Sequence, residues 1–357
     1  MNKKMKYSII FISIAIILSA TLIIKAFVSN KWKIIKSTGL MEFNFSRHYM
    51  CFTDTLNGYM AAEETVDPKS QTAVLYKTTD GGRSWSRLPI CSNGRAMFLK
   101  RYQLGFYIRV SKLGRKDELY SYLLESDSIQ LIQTFPFSFT NMIMKDGKLG
   151  FIKPGNYNDK EYNNVIFQTE NGWISYKALY SMSNDFDFIG LIDSTLVGIE
   201  YLGESESFRT QLFFLNTETK GYSSEKLPEK ISLYQMDGET IWLCGRENSR
   251  IYFYKKEKGH PVEKVCEFDA GERIAVRSFH VKGQKMFVAY YVPGFIASEN
   301  LAKSSTNGGI TWQDENIISA LIVDPIAYLD IPGKDDFYIW LHDGLTNLQV
   351  PPHQINR

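Results

Sequence analysis

A short apolar run recurs along the chain at a spacing of about 45 residues, and this repeat limits the possible folds more than any other feature. Seven copies are present, and their first residues lie 47, 45, 46, 45, 45 and 51 positions apart. The copies are residues 58–61, 105–108, 150–152, 196–199, 241–244, 286–289 and 337–340. Most are apolar on both faces, which is typical of a strand buried between neighbouring strands.

A second set of strand-like runs follows the first with the same period, and each of these leads through a polar turn into a further strand. They begin at residues 74, 118, 165, 211 and 250. A unit of about 40–45 residues that holds four strands has the period of a propeller blade. The sequence therefore predicts an all-β fold, a single β-propeller over residues 31–350, with the apolar runs as inner strands and a short tail at 351–357.

The two ends of the chain offer a way to close the ring. A strand-like stretch at 345–350 follows the last apolar run, and residues 32–35 alternate polar and apolar side chains near the other end. If these two stretches pair within one blade, the ring exposes no open sheet edge there. We expect seven four-stranded blades on this basis, whereas six or eight would require one interval to be reinterpreted.

Two polar turns of the second set carry the same motif, a Ser or Thr, an Asp or Asn, a Gly, a Ser or Thr, and a Trp at fixed spacing. Its residues are Thr78, Asp80, Gly82, Ser84 and Trp85 in one turn and Ser305, Asn307, Gly309, Thr311 and Trp312 in the other. A third, weaker copy is expected at Gln168, Glu170 and Gly172, followed by Trp173. The Asp or Asn can cap the turn and the Gly can supply a positive φ, so we expect a structural role.

On these residues the chain resembles the Asp-box (BNR-repeat) β-propellers, which include sialidases, sortilin-type receptor domains and photosystem II stability/assembly-factor-like proteins. The run from Leu56 to Tyr59 before the first turn looks most similar to the assembly-factor-like branch. The resemblance implies a binding scaffold. Its sialidase branch implies instead a glycoside hydrolase or a carbohydrate-binding propeller, and carbohydrate remains the alternative ligand.

A catalytic motif is not evident. A sialidase needs three arginines that converge on a carboxylate, but the arginines here are scattered, for example at 109, 209, 246 and 273. Glu63 and Glu64 are adjacent, so they should point to opposite faces of a strand and be solvated. The five histidines show no metal-ligand spacing, and the chain has no phosphate-binding motif. The lysine-rich run at 255–258 lies in a predicted turn, where we expect a solvated loop. We therefore predict no catalytic, cofactor or metal residues.

The N-terminal 30 residues predict where in the cell the protein is located. Three lysines in the first six residues precede an uncharged, mostly apolar stretch at 7–24. Eighteen such residues are just long enough to span a membrane, and the preceding lysines favour a cytoplasmic N-terminus. We expect a signal anchor in a single-pass protein with the propeller outside the cytoplasm, periplasmic or at the cell surface. A signal peptide cleaved near Ser19 and Ala20 is the alternative.

The net charge limits the classes of partner, and the cysteine content bears on the redox compartment. The formal net charge is only +2, which argues against a nucleic-acid-binding domain. Cys51, Cys91, Cys244 and Cys266 are compatible with disulfides in an oxidising compartment or with free thiols. The 50 aromatic side chains are explained by the filling of thin blades. We expect another protein of the envelope as the partner.

Overall fold

The computed structural model describes residues 35–36, 48–54, 56–67, 70–80, 84–112, 116–155, 162, 164–203, 209–227, 231–271, 274–292, 299–315, 327–329, 338–342 and 347–350. Within these residues all regular structure is β-strand, and they include no helix long and apolar enough to cross a membrane. The predicted anchor, the tail at 351–357 and Gly82 lie outside the described residues.

The described residues form 28 strands. They are β1 Ile35–Lys36, β2 His48–Phe52, β3 Gly58–Asp67, β4 Ser70–Thr78, β5 Ser86–Ser92, β6 Gly94–Tyr102, β7 Gly105–Lys112, β8 Asp117–Leu123, β9 Ser128–Phe135, β10 Phe139–Met144, β11 Gly150–Pro154, β12 Val165–Thr169, β13 Lys177–Ser181 and β14 Asp185–Ile192. The remainder are β15 Thr195–Leu202, β16 Arg209–Asn216, β17 Tyr222–Lys226, β18 Ile231–Asp237, β19 Thr240–Glu247, β20 Arg250–Lys256, β21 Glu263–Asp269, β22 Ala275–Lys282, β23 Lys285–Val292, β24 Glu299–Ser305, β25 Gln313–Asp314, β26 Ala327–Leu329, β27 Tyr338–His342 and β28 Asn347–Val350.

These strands pair into seven antiparallel sheets of four strands each, which we number in chain order. Sheets 1 to 6 each take four consecutive strands, from β2–β5 in sheet 1 to β22–β25 in sheet 6. Sheet 7 has the order β26, β27, β28, β1, so that it joins the two ends of the described chain. In its outer pair, Ile35 lies opposite Gln349 and Lys36 opposite Leu348. The expected pairing of the two chain ends is therefore present, slightly displaced along the N-terminal stretch.

The apolar runs of the repeat are the second strands of the sheets. We expected them to be inner strands, and this expectation was wrong: the first strand of each sheet occupies the inner edge. First strands of consecutive sheets lie against each other, as β14 does with β10 and β18. The burial between neighbours is as expected, since the centres of β7, β15, β19 and β23 are fully buried.

The core consists of separate apolar clusters, each between the facing surfaces of two consecutive sheets. Five such clusters lie between sheets 1 and 2, 2 and 3, 3 and 4, 4 and 5, and 5 and 6. Aromatic rings fill them: Phe135 packs edge-on against Phe139 and Trp173, with ring centroids 5.1 and 5.9 Å away. The largest fully buried side chains among the described residues are all aromatic.

Every sheet has two chemically different ends. In sheets 1 to 6 the hairpins that join the first to the second strand and the third to the fourth strand lie at one end, which we call the hairpin end. In sheet 7 no hairpin joins the third and fourth strands, β28 and β1, because they come from opposite ends of the described chain. At the hairpin end of sheet 3, the Gly172 N–H donates to the Lys148 carbonyl at 2.9 Å. In sheet 6 the Gly308 N–H donates to Gln284 in the same way, at 2.8 Å. The connections between second and third strands and between sheets lie at the other end, the loop end.

Candidate functional site

A cluster of charged and phenolic side chains at the loop end spans three consecutive sheets. The Lys153 cluster comprises Lys153 of β11, Asp185 and Asp187 of β14, Tyr201 of β15 and Tyr234 of β18. The Lys153 ammonium lies 2.8 Å from Asp185 and 3.3 Å from Asp187. Tyr201 donates its hydroxyl proton to Asp187 Oδ2 at 3.1 Å. The first-strand position of both aspartates places the cluster at the inner edge of the sheets.

Burial is uneven across the Lys153 cluster. The lysine side chain is buried at 6% exposure, whereas Asp185 is 44% and Asp187 30% exposed. The ammonium also lies 5.2 Å from the centroid of the Phe186 ring, which adds a cation–π contact. A buried cation is thus held by two carboxylates whose outer sides remain open to solvent.

The two tyrosines of the cluster remain neutral hydrogen-bonding groups at ordinary pH. Burial raises the pKa of Tyr201, and the neighbouring Asp187 charge raises it further. Burial likewise raises the pKa of Tyr234, with Asp187 adding to the effect. The cluster therefore offers polar recognition by carboxylates and hydroxyls, framed by apolar rings, which suits binding.

Lys100 is a further charged residue at the inner edge of the sheets. It lies on β6, the first strand of sheet 2, and its side chain is exposed. Desolvation by the surrounding protein nevertheless lowers its pKa. These two facts agree if the ammonium lies in a concave space that water enters but protein atoms crowd. Lys100 is thus an exposed cation at the inner edge whose surroundings disfavour its charge.

Other charges at the loop end are held in buried ion pairs. Arg109 Nε lies 2.6 Å from Asp117 Oδ2, and both side chains are buried. Asp117 also accepts from the Phe139 N–H at 2.8 Å and from the Ser138 hydroxyl at 3.3 Å. Burial raises the pKa of the Asp117 carboxyl, although the Arg109 charge opposes this. Arg109 therefore has a structural role.

Glu63 and Glu64 correct the expectation of a solvated pair, since both are buried. Glu64 accepts two charged hydrogen bonds from Arg87, at 2.7 and 2.8 Å, and a further one from Tyr76. The Arg87 guanidinium holds the pKa of the Glu64 carboxyl below its usual value. Glu63 lies 3.6 Å from Arg95. Arginines from β5 and from β6 of the next sheet offset the cost of burying these carboxylates.

The motif turns are third-to-fourth-strand hairpins at the hairpin end. In the first, Asp80 accepts from the Thr78 hydroxyl at 2.8 Å, the Ser84 N–H at 2.9 Å and the Ser84 hydroxyl at 2.6 Å. Trp85 meets Phe52 edge-on with centroids 6.2 Å apart. The structure thus brings four of the five motif residues into one turn, and the fifth, Gly82, is outside the described residues.

The turn in sheet 6 repeats this pattern with an amide. Asn307 Oδ1 accepts from the Ser305 hydroxyl and from the Thr311 N–H, both at 2.9 Å, and Asn307 Nδ2 donates to the Thr311 hydroxyl at 2.9 Å. Gly309 has a φ of +87° and donates its N–H to Ser305 at 2.8 Å. Trp312 stacks on Phe253 of sheet 5 with ring centroids 5.0 Å apart, so it covers the boundary between sheets 5 and 6.

The weaker copy in sheet 3 lies one residue later than expected. Thr169 and Asn171 make the bonds of the motif, since the Thr169 hydroxyl donates to Asn171 Oδ1 at 3.0 Å. Asn171 Oδ1 also accepts from the Ser175 N–H at 3.0 Å. Trp173 then stands where the other turns have glycine, at a φ of +73°. The alignment on Gly172 was wrong because a buried tryptophan occupies the positive-φ position.

A cleft of about 360 Å³ lies at the hairpin end between sheets 4 and 5. Its floor is apolar, and its rim carries two ion pairs. Lys256 lies 2.6 Å from Glu225, and Lys258 lies 2.5 Å from Asp193. The lysine-rich run is therefore partly a set of ion pairs between sheets. Within the described part of the chain, His, Cys, Asp and Glu side chains form no group of three that could hold a metal ion.

In the part of the chain that the structure describes, Cys51, Cys91, Cys244 and Cys266 are not joined by disulfides. Phe253 of β20 lies between Cys244 of β19 and Cys266 of β21 in the strand register, so the two sulfurs belong to strands that are not neighbours. Burial raises the pKa of the Cys266 thiol to about 12 and that of Cys244 further. These two are therefore inert structural thiols at ordinary pH.

Comparison with known proteins identifies the fold. No family model matches the chain, and no curated protein matches it. The β-propeller domain of the Trilobed protease from Pyrococcus furiosus is similar, with 11% identity, a TM-score of 0.56, and 88% of this chain and 97% of that chain covered. An uncharacterised protein from Listeria monocytogenes gives 10% identity, a TM-score of 0.54 and coverage of 87% and 95%.

A larger protein contains a similar structure. The Pyrococcus horikoshii acylaminoacyl peptidase gives 9% identity and a TM-score of 0.54 over 88% of this chain, which spans only 54% of the peptidase. The Pyrococcus furiosus propeller is described as having an open velcro topology, whereas here β1 pairs with β28. At such low identity the likeness concerns the fold alone. The chain has a β-propeller fold.

Proposed function

We propose that this chain is a membrane-anchored, extracytoplasmic propeller of seven Asp-box-type blades that binds another protein of the cell envelope. The seven described sheets and the repeated turn hydrogen bonds support the blade count and the Asp-box relationship. The uncharged stretch at 7–24 after three lysines supports the anchor and the orientation. The observation that carries the binding role is the Lys153 cluster.

The charge balance of the cluster indicates the complementary group. Two carboxylates share one buried ammonium, and each carboxylate has an exposed side. A basic side chain of the partner can bind there, and an arginine can do so through two parallel hydrogen bonds. Arginine is also common among the residues that dominate protein interfaces. The partner of this site therefore presents a basic side chain to the loop end.

The two aspartates also suggest an alternative function, glycoside hydrolysis. A glycosidase places one carboxylic acid and one carboxylate on either side of the scissile bond. Here both groups flank a lysine, and Arg109, the buried arginine of the preceding sheet, is paired with Asp117. The Lys153 ammonium contacts both carboxylates, so they are already engaged with a cation, and this geometry favours binding.

The test is capture of partners from a membrane fraction by the full chain. Asp185→Asn removes one exposed carboxylate, and Asp314→Asn is the matched control because Asp314 is an exposed, ion-paired aspartate of an outer strand. We expect one partner to be enriched with the wild type and the control, and to be reduced about tenfold with Asp185→Asn. Release of sugars from envelope polysaccharide, or capture indifferent to Asp185, would overturn the proposal.

A further inference from the structure

The hairpin end carries exposed aliphatic side chains that the fold does not need. Among the described residues, large apolar side chains that are more than half exposed are few, and four of them lie on hairpins at this end. They are Leu56 (54%), Leu104 (62%), Ile174 (76%) and Ile310 (82%). A fifth such side chain, Leu131, lies on the outer strand β9. We call the first four the aliphatic tips.

Two of the tips occupy the same position of the motif turn. Ile174 precedes Ser175, and Ile310 precedes Thr311, whose N–H groups both bond to the turn asparagine. The turns are thereby fixed, with their aliphatic residue directed to solvent. The other two tips belong to first-to-second-strand hairpins of sheets 1 and 2. The tips thus lie on four different sheets and form a dispersed set rather than a groove.

The strand β1 begins on the side of the hairpin end. In sheet 7 the connection from β27 to β28 is at the loop end, so β28 runs toward the hairpin end. Because β1 is antiparallel to β28, it runs away from the hairpin end, so its first residue, Ile35, is the one nearer that end. Only residues 25–34 separate the apolar stretch from β1. Ten residues span at most about 35 Å.

We propose that the hairpin end lies against the surface of the membrane that holds the anchor, with the aliphatic tips in contact with the lipid headgroups. This inference rests on the proposed function, since it requires the anchor. A bilayer is flat and extended, which fits tips spread over four sheets. Exposed lysines and carboxylates are mixed at this end, for example Lys148 and Glu218, so the contact depends on the tips rather than on net charge.

In this orientation the two ends of the propeller face different surroundings. With the hairpin end against the bilayer, the Lys153 cluster at the loop end points away from the membrane. A partner then reaches the candidate site from the aqueous side without displacing lipid.

The inference is tested with the full chain in liposomes that contain one phospholipid with a photoactivatable headgroup, which reports on the hairpins, and one with a photoactivatable acyl chain, which reports on the segment 7–24. Mass spectrometry locates the cross-links after illumination. We expect them on the segment 7–24 and on the four hairpins with the aliphatic tips, but not on the peptide that contains Leu131. The double variant L104E/I310E should reduce hairpin labelling several-fold without changing that of the anchor, and Leu131→Glu, the matched control, should change neither.

The outcomes separate the two proposals. Labelling of 7–24 without labelling of the hairpins overturns the membrane-facing orientation and leaves the anchor intact. Labelling of the loop end instead of the hairpins does the same. If neither 7–24 nor the hairpins are labelled, the anchor itself is refuted.

Discussion

The two ends of the propeller are stabilised by different kinds of interaction. At the loop end, charged side chains form ion pairs in which at least one partner is buried, as in Arg109–Asp117 and Lys153–Asp187. At the hairpin end, neutral and acidic side chains satisfy the backbone of tight turns, as Asn307 and Asp80 do. The loop end therefore places charged side chains inside the fold, while the hairpin end uses local hydrogen bonds and leaves its aliphatic residues exposed.

The largest expected effect of a substitution is at the loop end. Arg109→Met leaves the Asp117 charge buried without its cation, and we expect the free energy of unfolding to fall by about 3–5 kcal/mol. Chemical denaturation of the detergent-solubilised chain measures it. Lys177→Met is the matched control, because Lys177 and Glu170 form an exposed ion pair, and it should cost less than about 1 kcal/mol.

A second variant isolates the cause of that loss. In R109M/D117N the residual charge is gone, so this variant should be more stable than R109M alone. Equal stability of the two would mean that lost packing, and not a stranded carboxylate, explains the effect.

A smaller loss is expected at the hairpin end. Asn307→Ala removes three hydrogen bonds of one turn, and we expect a cost of about 1–2 kcal/mol. The same denaturation experiment applies. Asn307→Asp should retain most of the stability, because Asp80 performs this role in sheet 1. A cost for Asn307→Ala as large as that of Arg109→Met would remove the contrast between the two ends.

Acid provides the mildest perturbation and acts on the Glu64–Arg87 pair. The Glu64 pKa in the folded protein lies below its ordinary value of 4.5, chiefly through the hydrogen bonds from Arg87. The pair therefore contributes its full stability above about pH 5 and loses it as the pH falls through the lowered pKa. The effect is modest because solvent reaches Arg87, whose side chain is 44% exposed.

Glu64→Gln provides the comparison for the acid experiment. The stability difference between wild type and this variant should be constant above about pH 5 and should shrink below it. Asp117 is unaltered in both proteins, so its raised pKa cancels from the difference. A difference that is unchanged in acid would mean that Glu64 is not ionised in its pair.

The propeller fold could be predicted from the sequence because it depends on a period. The apolar runs such as Ile241 to Cys244 are buried as second strands. Their position one strand away from the inner edge could not be predicted, since periodicity does not distinguish a first strand from a second. One first strand, β14, alternates half-buried and buried residues from Asp185 to Phe188, but β18 does not repeat this pattern.

The candidate site could not be predicted because its members come from distant repeats. Lys153 lies 32 residues before Asp185 and 81 before Tyr234, as their numbers show. The available signal was a lysine after Phe151 and Ile152 in an otherwise apolar run, which indicates a buried cation with a partner. Glu64 was misjudged for the same reason, because its arginine lies on another strand.

The pairing of β1 with β28 has a consequence for how the chain is made. Ile35 is translated 314 residues before its partner Gln349. Sheet 7 therefore cannot form until Gln349 has emerged, whereas sheets 1 to 6 can form in turn as they leave the ribosome. During that interval β1 lacks its partner strand, and synthesis of β28 is the event that allows sheet 7 to form.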